Sequence, residues 1–339
     1  MAIPKNWISR DGDVILTTDN FIMYTFGYDH PKDKVISYLK YIPENLIKLF
    51  NLPYIEHKWK FKNVIMRRPK ELYSPEIFNE IINVFKNHFP NYVDYSSHLQ
   101  KEIIVVPYSN IKKIFTPDLQ FKRLLKKEIL DKHESIAIEL IKLLSYNSNV
   151  PLESFGIHGS TSYQMHSEQS DVDIAIYGSD NYFKVKQTVK ELVDKKIITY
   201  NVKIQTDKYR LNRGKYKETD FVFNAIRTLK ETKNNYDTFQ FKHIIGVKFS
   251  CQIINNTESV FRPAIYKVSN VKLNKKLDID ENKIVEVVSM IGEYRNIANE
   301  GSYIKGFGML EKVKNLKQSK KYYRIIIGSG VQKEYITPK

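Results

Sequence analysis

Phe155-Gly156-Ile157-His158-Gly159-Ser160-Thr161-Ser162 is followed, with ten residues between Ser160 and Asp171, by Asp171-Val172-Asp173-Ile174-Ala175-Ile176-Tyr177. The first segment reads as a short apolar strand, Phe155 to His158, that breaks at Gly159 into a tight turn. The second reads as a strand in which Asp171 and Asp173 stand at i and i+2. Residues two apart on a strand share a face, so both carboxylates point the same way while Val172, Ile174 and Ile176 point into a core. A Gly-Ser pair between a strand and a helix start offers backbone N–H groups and a hydroxyl at close range, which suits phosphate. Paired carboxylates suit a hard divalent cation such as Mg²⁺. Two such ions, about 3.5–4 Å apart, activate an attacking oxygen and steady a leaving pyrophosphate.

Outward from this centre, Asp118 is placed to cap a helix after Pro117 that runs to about Ser145, with Leu124, Leu125, Ile129, Ile136, Leu140, Ile141 and Leu144 in helical period. A second helix is expected over Asn181 to Lys195, burying Val185, Val189, Leu192 and Val193. The order is helix, strand, loop, strand, helix. Thr219 is placed to cap a further helix through Thr232, and Lys248–Ile254 and Phe261–Val268 read as strands around Asn255-Asn256-Thr257.

The run Gly156 to Ser160, the ten-residue spacer and Ser170-Asp171-Val172-Asp173-Ile174 resemble the motif of the DNA polymerase β nucleotidyltransferase superfamily. The whole chain further resembles a group of archaeal predicted nucleotidyltransferases, including Gly27-Tyr28-Asp29-His30-Pro31 and Phe261-Arg262-Pro263. The resemblance implies a mixed-sheet core and Mg²⁺- or Mn²⁺-dependent transfer of a nucleoside monophosphate from an NTP. Asp171 and Asp173 would be the catalytic, metal-holding pair, and Gly159 and Ser160 would bind the nucleotide. Members of the superfamily usually carry a third carboxylate on a neighbouring strand. Lys248–Ile254 offers none, which leaves Asp220 and Glu258 as candidate metal ligands, although Thr219-Asp220 reads equally well as a helix start. Without a third acid the core would be a catalytically inert binder.

Arg210, Arg213 and Lys215, beside Lys208, form a basic loop suited to phosphate. His158 and His166 flank the motif, and His158 is expected to pack or hydrogen-bond rather than ligate a metal. Near the C-terminus Lys312, Lys314, Lys317, Lys320, Lys321 and Arg324, interleaved with Tyr322 and Tyr323, make a candidate nucleic-acid surface. The alternative reading of the same residues is an exposed basic hairpin tip with the tyrosines half buried in a barrel.

The fold class is therefore α/β (α+β): an N-terminal α+β module over residues 1–117, a nucleotidyltransferase-type core over 118–270 and a small, OB-like β-barrel over 280–339, with a hinge between Asn270 and Asn282. In the first module, Val14–Thr17, Phe21–Phe26 and Lys101–Val106 read as strands, Val35–Tyr41 as extended or helical, and Pro75–Asn87 as a helix. A hydrophobic content of 42% against 27% charged residues is enough for sizeable cores and argues against general disorder. The net charge of +16 favours a polyanionic partner, so RNA or DNA is the expected acceptor, with a protein acceptor as the alternative. Cys251, a lone cysteine in an apolar run, excludes an intrachain disulfide and reads as a small buried hydrophobe. Met1-Ala2-Ile3-Pro4-Lys5 lacks a signal-peptide core, and no apolar run approaches the roughly 18 residues of a membrane span, so a cytoplasmic protein with no membrane partner is expected.

Overall fold

Alternating apolar residues build the first layer. In the structure, a computed structural model that describes residues 7–72 and 74–339, eight strands form one antiparallel sheet. They are β1 (Val14–Thr17), β2 (Ile22–Thr25), β3 (Lys34–Pro43), β4 (Trp59–Phe61), β5 (Val64–Arg67), β6 (Val93–Ser96), β7 (Lys101–Pro107) and β8 (Ile111–Phe115). Met1 to Lys5 lie outside the described residues. Ile15, Met23, Leu39, Ile104 and Val106 bury one face under helix α1 (Pro75–His88), which Ser74 caps by accepting from the Ile77 N–H at 3.2 Å. Val14, Leu16, Ile22, Tyr24 and Phe115 bury the other face against Tyr163 and Met165, residues of the segment between Ser160 and Asp171.

The helix expected from Asp118 to Ser145 is two helices, α2 (Pro117–Leu125) and α3 (Lys132–Ser148). The break has a physical cause: Asp131 and Glu134 form a capping box that starts a new helix, while Thr116 holds the α2 N-cap position and Asp118 lies in its first turn. The chain continues through β9 (Phe155–Ile157), the single-turn α4 (Gly159–Ser162), β10 (Val172–Tyr177), α5 (Ser179–Asp194), β11 (Thr199–Tyr200), the short α6 (Asp207–Arg210), β12 (Arg213–Tyr216) and β13 (Thr219–Ile226). The five strands make a mixed sheet in the order β11-β12-β13-β10-β9, with β13 parallel to β10. The helix expected after Thr219 is thus a strand. Phe221, Phe223 and Ala225 alternate into the core with Val172, Ile174 and Ile176 and pack beneath α3 and α5.

The remaining strands are β14 (Phe239–Asn255), β15 (Ala264–Leu273), β16 (Ile284–Ser289), β17 (Tyr303–Asn315), β18 (Lys321–Ile327) and β19 (Tyr335–Pro338). The first five close on themselves in the order β14-β15-β16-β18-β17-β14, with only the β16–β18 pair parallel, and β19 adds to the edge of β17. The barrel therefore begins at Phe239, and β14 and β15 belong to it rather than to the preceding core. Asn270–Asn282 is no hinge, because β15 runs through Leu273 and the segment beyond it joins two strands of the same barrel. Val247, Phe249, Cys251, Tyr266, Leu310, Ile325 and Ile327 fill the interior. Among the described residues no helix is long and apolar enough to cross a membrane.

Candidate functional site

β10 and β13 run side by side in the register Val172↔Phe221 and Asp173↔Val222. One position before that ladder, Asp171 and Asp220 share a single cation: the Lys203 ammonium lies 3.2 Å from Asp171 Oδ2 and 3.0 Å from Asp220 Oδ2. Asp171, Asp173 and Asp220 consequently gather at the same end and on the same face of the sheet, opposite the core face. Asp220 stands where a third acid on a neighbouring strand would stand. Burial disfavours its ionisation, but the Lys203 hydrogen bond and charge prevail and hold its carboxyl below the ordinary value. Partial burial would lower the Lys203 ammonium, and its bonds to Asp220 and Asp171 raise it instead.

Gly159 closes the site from the adjacent strand. Its φ is +62°, and a Cβ there would fall 1.8 Å from Asp173 Oδ2. Only glycine brings the backbone this close to the carboxylate. The Ser160 carbonyl accepts from the Met165 N–H at 2.8 Å, and its half-buried hydroxyl makes no hydrogen bond among the described residues. His158 donates its backbone N–H to the Asp173 carbonyl at 2.8 Å. Its ring packs under Gly12, where a Cβ would come within 2.4 Å of Cε1, and burial lowers the imidazole to about 3. It is therefore a neutral packing residue, as expected.

The N-terminal sheet supplies the other wall, which sequence reading missed. Lys40 on β3 donates to the Tyr24 hydroxyl at 2.7 Å and lies over the Tyr24 ring at 4.0 Å, and Tyr24 shares a 3.0 Å hydrogen bond with Tyr163 of the motif loop. Burial, reinforced by Arg68, brings the Lys40 ammonium down to about 7 against the pull of Asp173. Burial likewise raises the Asp173 carboxyl, opposed by Lys40, Arg213 and Arg68 and aided by Asp171. Lys40, Arg68 and Lys203 lie far from the motif in sequence and carry no local signature. Only Lys40 carries a weak signal, as a lone basic residue inside the apolar strand β3.

Of the basic loop, Arg213 faces the site, with Nη1 3.6 Å from Asp171 Oδ2 and Nε 3.5 Å from Asp207 Oδ1. Lys215 pairs across the ladder with Asp220 and holds Glu218 at 3.2 Å. Arg210 is buried, with its guanidinium on Asp207 at 3.8 Å and Asn224 at 3.4 Å, and is engaged in bracing the sheet on the face that carries Asp220. Glu258 does not join the acids. Its carboxylate is bound to Arg227, just past the far end of β13, roughly 20 Å of strand from Asp220. Arg324 is likewise withdrawn from the proposed nucleic-acid surface. It is buried, bonds Glu311 at 2.6 Å and lies 3.5 Å over the Phe241 ring. Lys314, Lys317, Lys320 and Lys321 are exposed around the β17–β18 turn, with Lys312 half-buried.

A second polar cluster borders the motif. His133 on α3 shares a 2.9 Å hydrogen bond with Thr161 and stacks on His166, with ring centroids 5.0 Å apart. Ligand atoms of Asp131, Glu134 and His166 lie within 4.8 Å of one another. These acids are already engaged: Asp131 caps α3 and meets His166 at 2.9 Å, and Glu134 meets Lys127 at 2.5 Å. Their arrangement is that of a braced helix start.

The chain is 23% identical to an uncharacterized protein of Methanocaldococcus jannaschii, in a match that spans 97% of this chain and 99% of the relative. No family model and no solved structure matches the chain. The similarity runs over both chains almost end to end.

Proposed function

We propose that the protein transfers a nucleoside monophosphate from an NTP to a nucleic-acid acceptor, RNA or DNA, on a nucleotidyltransferase-type core. The observation that carries this reading is the grouping of Asp171 and Asp173 with Asp220 on the neighbouring parallel strand, against the backbone of Gly159. The carboxylate oxygens are the donor set that Mg²⁺ or Mn²⁺ prefers. Bound there, the metal would supply charge for the attacking and leaving oxygens. The chain's own residues do the rest. Asp171 and Asp173 would hold the metal, with Asp220 as the third acid. The Gly159 and Ser160 N–H groups and the Ser160 hydroxyl orient phosphate oxygens. Lys40 and Arg68 balance the negative charge of the polyphosphate from the opposite wall, and Arg213 does so from beside the acids.

We read the closed barrel as OB-like, because its strand order and its single parallel pair are those of that fold. A cytoplasmic setting fits this reading. The test is incubation with α-labelled NTPs, Mn²⁺ and single-stranded RNA or DNA. Label entering the acceptor, and lost in Asp171→Asn and Asp173→Asn, is the expected result. One observation favours a second reading. The Lys203 ammonium already bridges Asp171 and Asp220, as it would in a core that binds nucleic acid without catalysis. Absence of label from every acceptor, together with salt-sensitive RNA binding, would establish that reading instead. Label entering protein would point to a protein acceptor.

A further inference from the structure

Beside the motif loop lies a charged surface that the diacid site does not use. The first turn of α2 packs so closely on β9 that a Cβ on Gly156 would fall 2.7 Å from Pro117. The outer side of α2 and the turn after it carry Lys122, Arg123, Lys126 and Lys127, which line a shallow groove of about 600 Å³ together with Gln164. Gln164 lies between Ser160 and Asp171, and its N–H donates to the Thr161 carbonyl at 3.4 Å. The groove therefore opens onto the loop that holds Gly159 and Ser160.

Its charge is not neutralised from within. Lys127 meets Glu134 at 2.5 Å, whereas Lys122, Arg123 and Lys126 are exposed and have no acidic partner among the described residues. The crowding continues onto the neighbouring sheet. Burial lowers the Lys113 ammonium, and repulsion from Lys62 and Arg123 adds to that effect. Arg123 thus repels Lys113 on one side, while Lys122 and Lys126 line the groove beside it, each without an acidic partner among the described residues. Such a field is relieved by a partner that brings a row of negative charges. Exposed Leu119 and Leu125 on the same helix offer apolar surface to sugars and bases. A concave, cation-lined path that leads to a phosphate-binding loop fits a polynucleotide better than a lipid surface, which needs a projecting apolar ridge.

We propose that the α2 groove holds the sugar–phosphate backbone of a single-stranded polynucleotide and leads its end to Asp171 and Asp173. The inference rests on the transferase reading of that site. Its test uses the full chain and a fluorescein-labelled single-stranded RNA of about 20 nucleotides. The Lys122→Glu/Arg123→Glu/Lys126→Glu variant is compared with a charge-matched control, Lys272→Glu/Lys275→Glu/Lys276→Glu, on exposed barrel positions. Circular dichroism melts verify that both variants fold. The α2 variant is expected to bind at least about tenfold more weakly than the control. Its log–log salt slope should fall by about 2, since each lost phosphate contact on a single strand removes about 0.7. Equal losses in both variants, or none in the α2 variant, overturn the proposal. So does binding of phosphatidylserine-rich vesicles through these residues with no RNA affinity. Transfer activity is scored separately. Groove-dependent RNA binding with no nucleotide incorporation sinks the transferase reading and leaves the groove. Incorporation abolished by Asp171→Asn, with RNA affinity indifferent to α2, does the reverse.

Discussion

Two clusters of recessed charge in this molecule are built on opposite terms. On the outer wall of the barrel, Glu311 accepts from His243 at 2.9 Å and from Arg324 at 2.6 Å, and Arg324 rests on Phe241. Burial works against the Glu311 carboxylate, but Arg324 and His243 outweigh it and hold the carboxyl below its ordinary value. The carboxylate is thus paired on both oxygens. At the end of β10 the opposite holds. Asp171 and Asp220 share Lys203, but Asp173 is pushed up by burial, Lys40 on the N-terminal sheet is brought down to about 7, and neither has an ion-pair partner among the described residues. Matched charges stabilise a fold. Charges kept close but unmatched suit a ligand that carries both signs, and a divalent metal bound to a polyphosphate is such a ligand.

The contrast is most sharply tested by exchanging one acid in each cluster. Asp173→Asn should reduce nucleotide transfer by at least about 10³-fold while leaving urea unfolding within about 1 kcal/mol of wild type. Glu311→Ala should do the converse. Removing one partner of a buried pair costs about 3–5 kcal/mol, and transfer by the folded fraction should be unchanged. If Glu311→Ala abolished transfer without loss of stability, the distinction between the clusters would be gone. Gly159→Ala comes next. Its positive φ and the 1.8 Å approach to Asp173 predict a fall in kcat of roughly 10²-fold, read alongside the same unfolding curve.

Asp13, fully buried and bonded to Trp7 Nε1 at 2.9 Å, belongs to neither class. Burial raises its carboxyl from 3.8 to about 7 despite Arg10. At pH values below 3.8 both folded and unfolded chains carry the proton. Between 3.8 and about 7 the unfolded chain releases it first, so stability falls as pH rises through that window and levels off above it. Asp13→Asn should remove that slope from the pH dependence of urea midpoints. The smallest effect is expected at the exposed Lys215–Glu218 pair, where Lys215→Ala should change stability by less than about 0.5 kcal/mol.

The grouping of Gly159 with Asp171 and Asp173 was legible in sequence because its information is local: a glycine at a strand end, and two acids at strand period. What was misread depended on partners far along the chain. Thr219-Asp220-Phe221-Val222-Phe223 satisfies a helix start as well as a strand, and only its pairing with β10 decides between them. Lys40 and Arg68 reach the site by way of a separate sheet. Arg324 was grouped with Lys321 by proximity, yet it lies on the opposite face of β18 from Tyr323 and turns to Glu311. β17 runs unbroken through Gly306 and Gly308, residues that interrupt the apolar pattern in sequence. Those glycines are packing positions, since a Cβ would fall 2.2 Å from the Tyr335 carbonyl at the first and 2.6 Å from Ile327 at the second. Hydrophobic periodicity does reveal that strands exist there. It does not reveal where they close into a barrel.

The hydrogen bond between Tyr24 and Tyr163 gives the molecule a built-in optical gauge. Those phenols stand beside Tyr41, whose ring lies 5.2 Å from the indole of Trp59, one of the chain's two tryptophans. A charged ligand arriving next to Asp173 alters the field on this aromatic chain. Its occupancy can then be followed in tryptophan emission, with no label attached and no chemistry required.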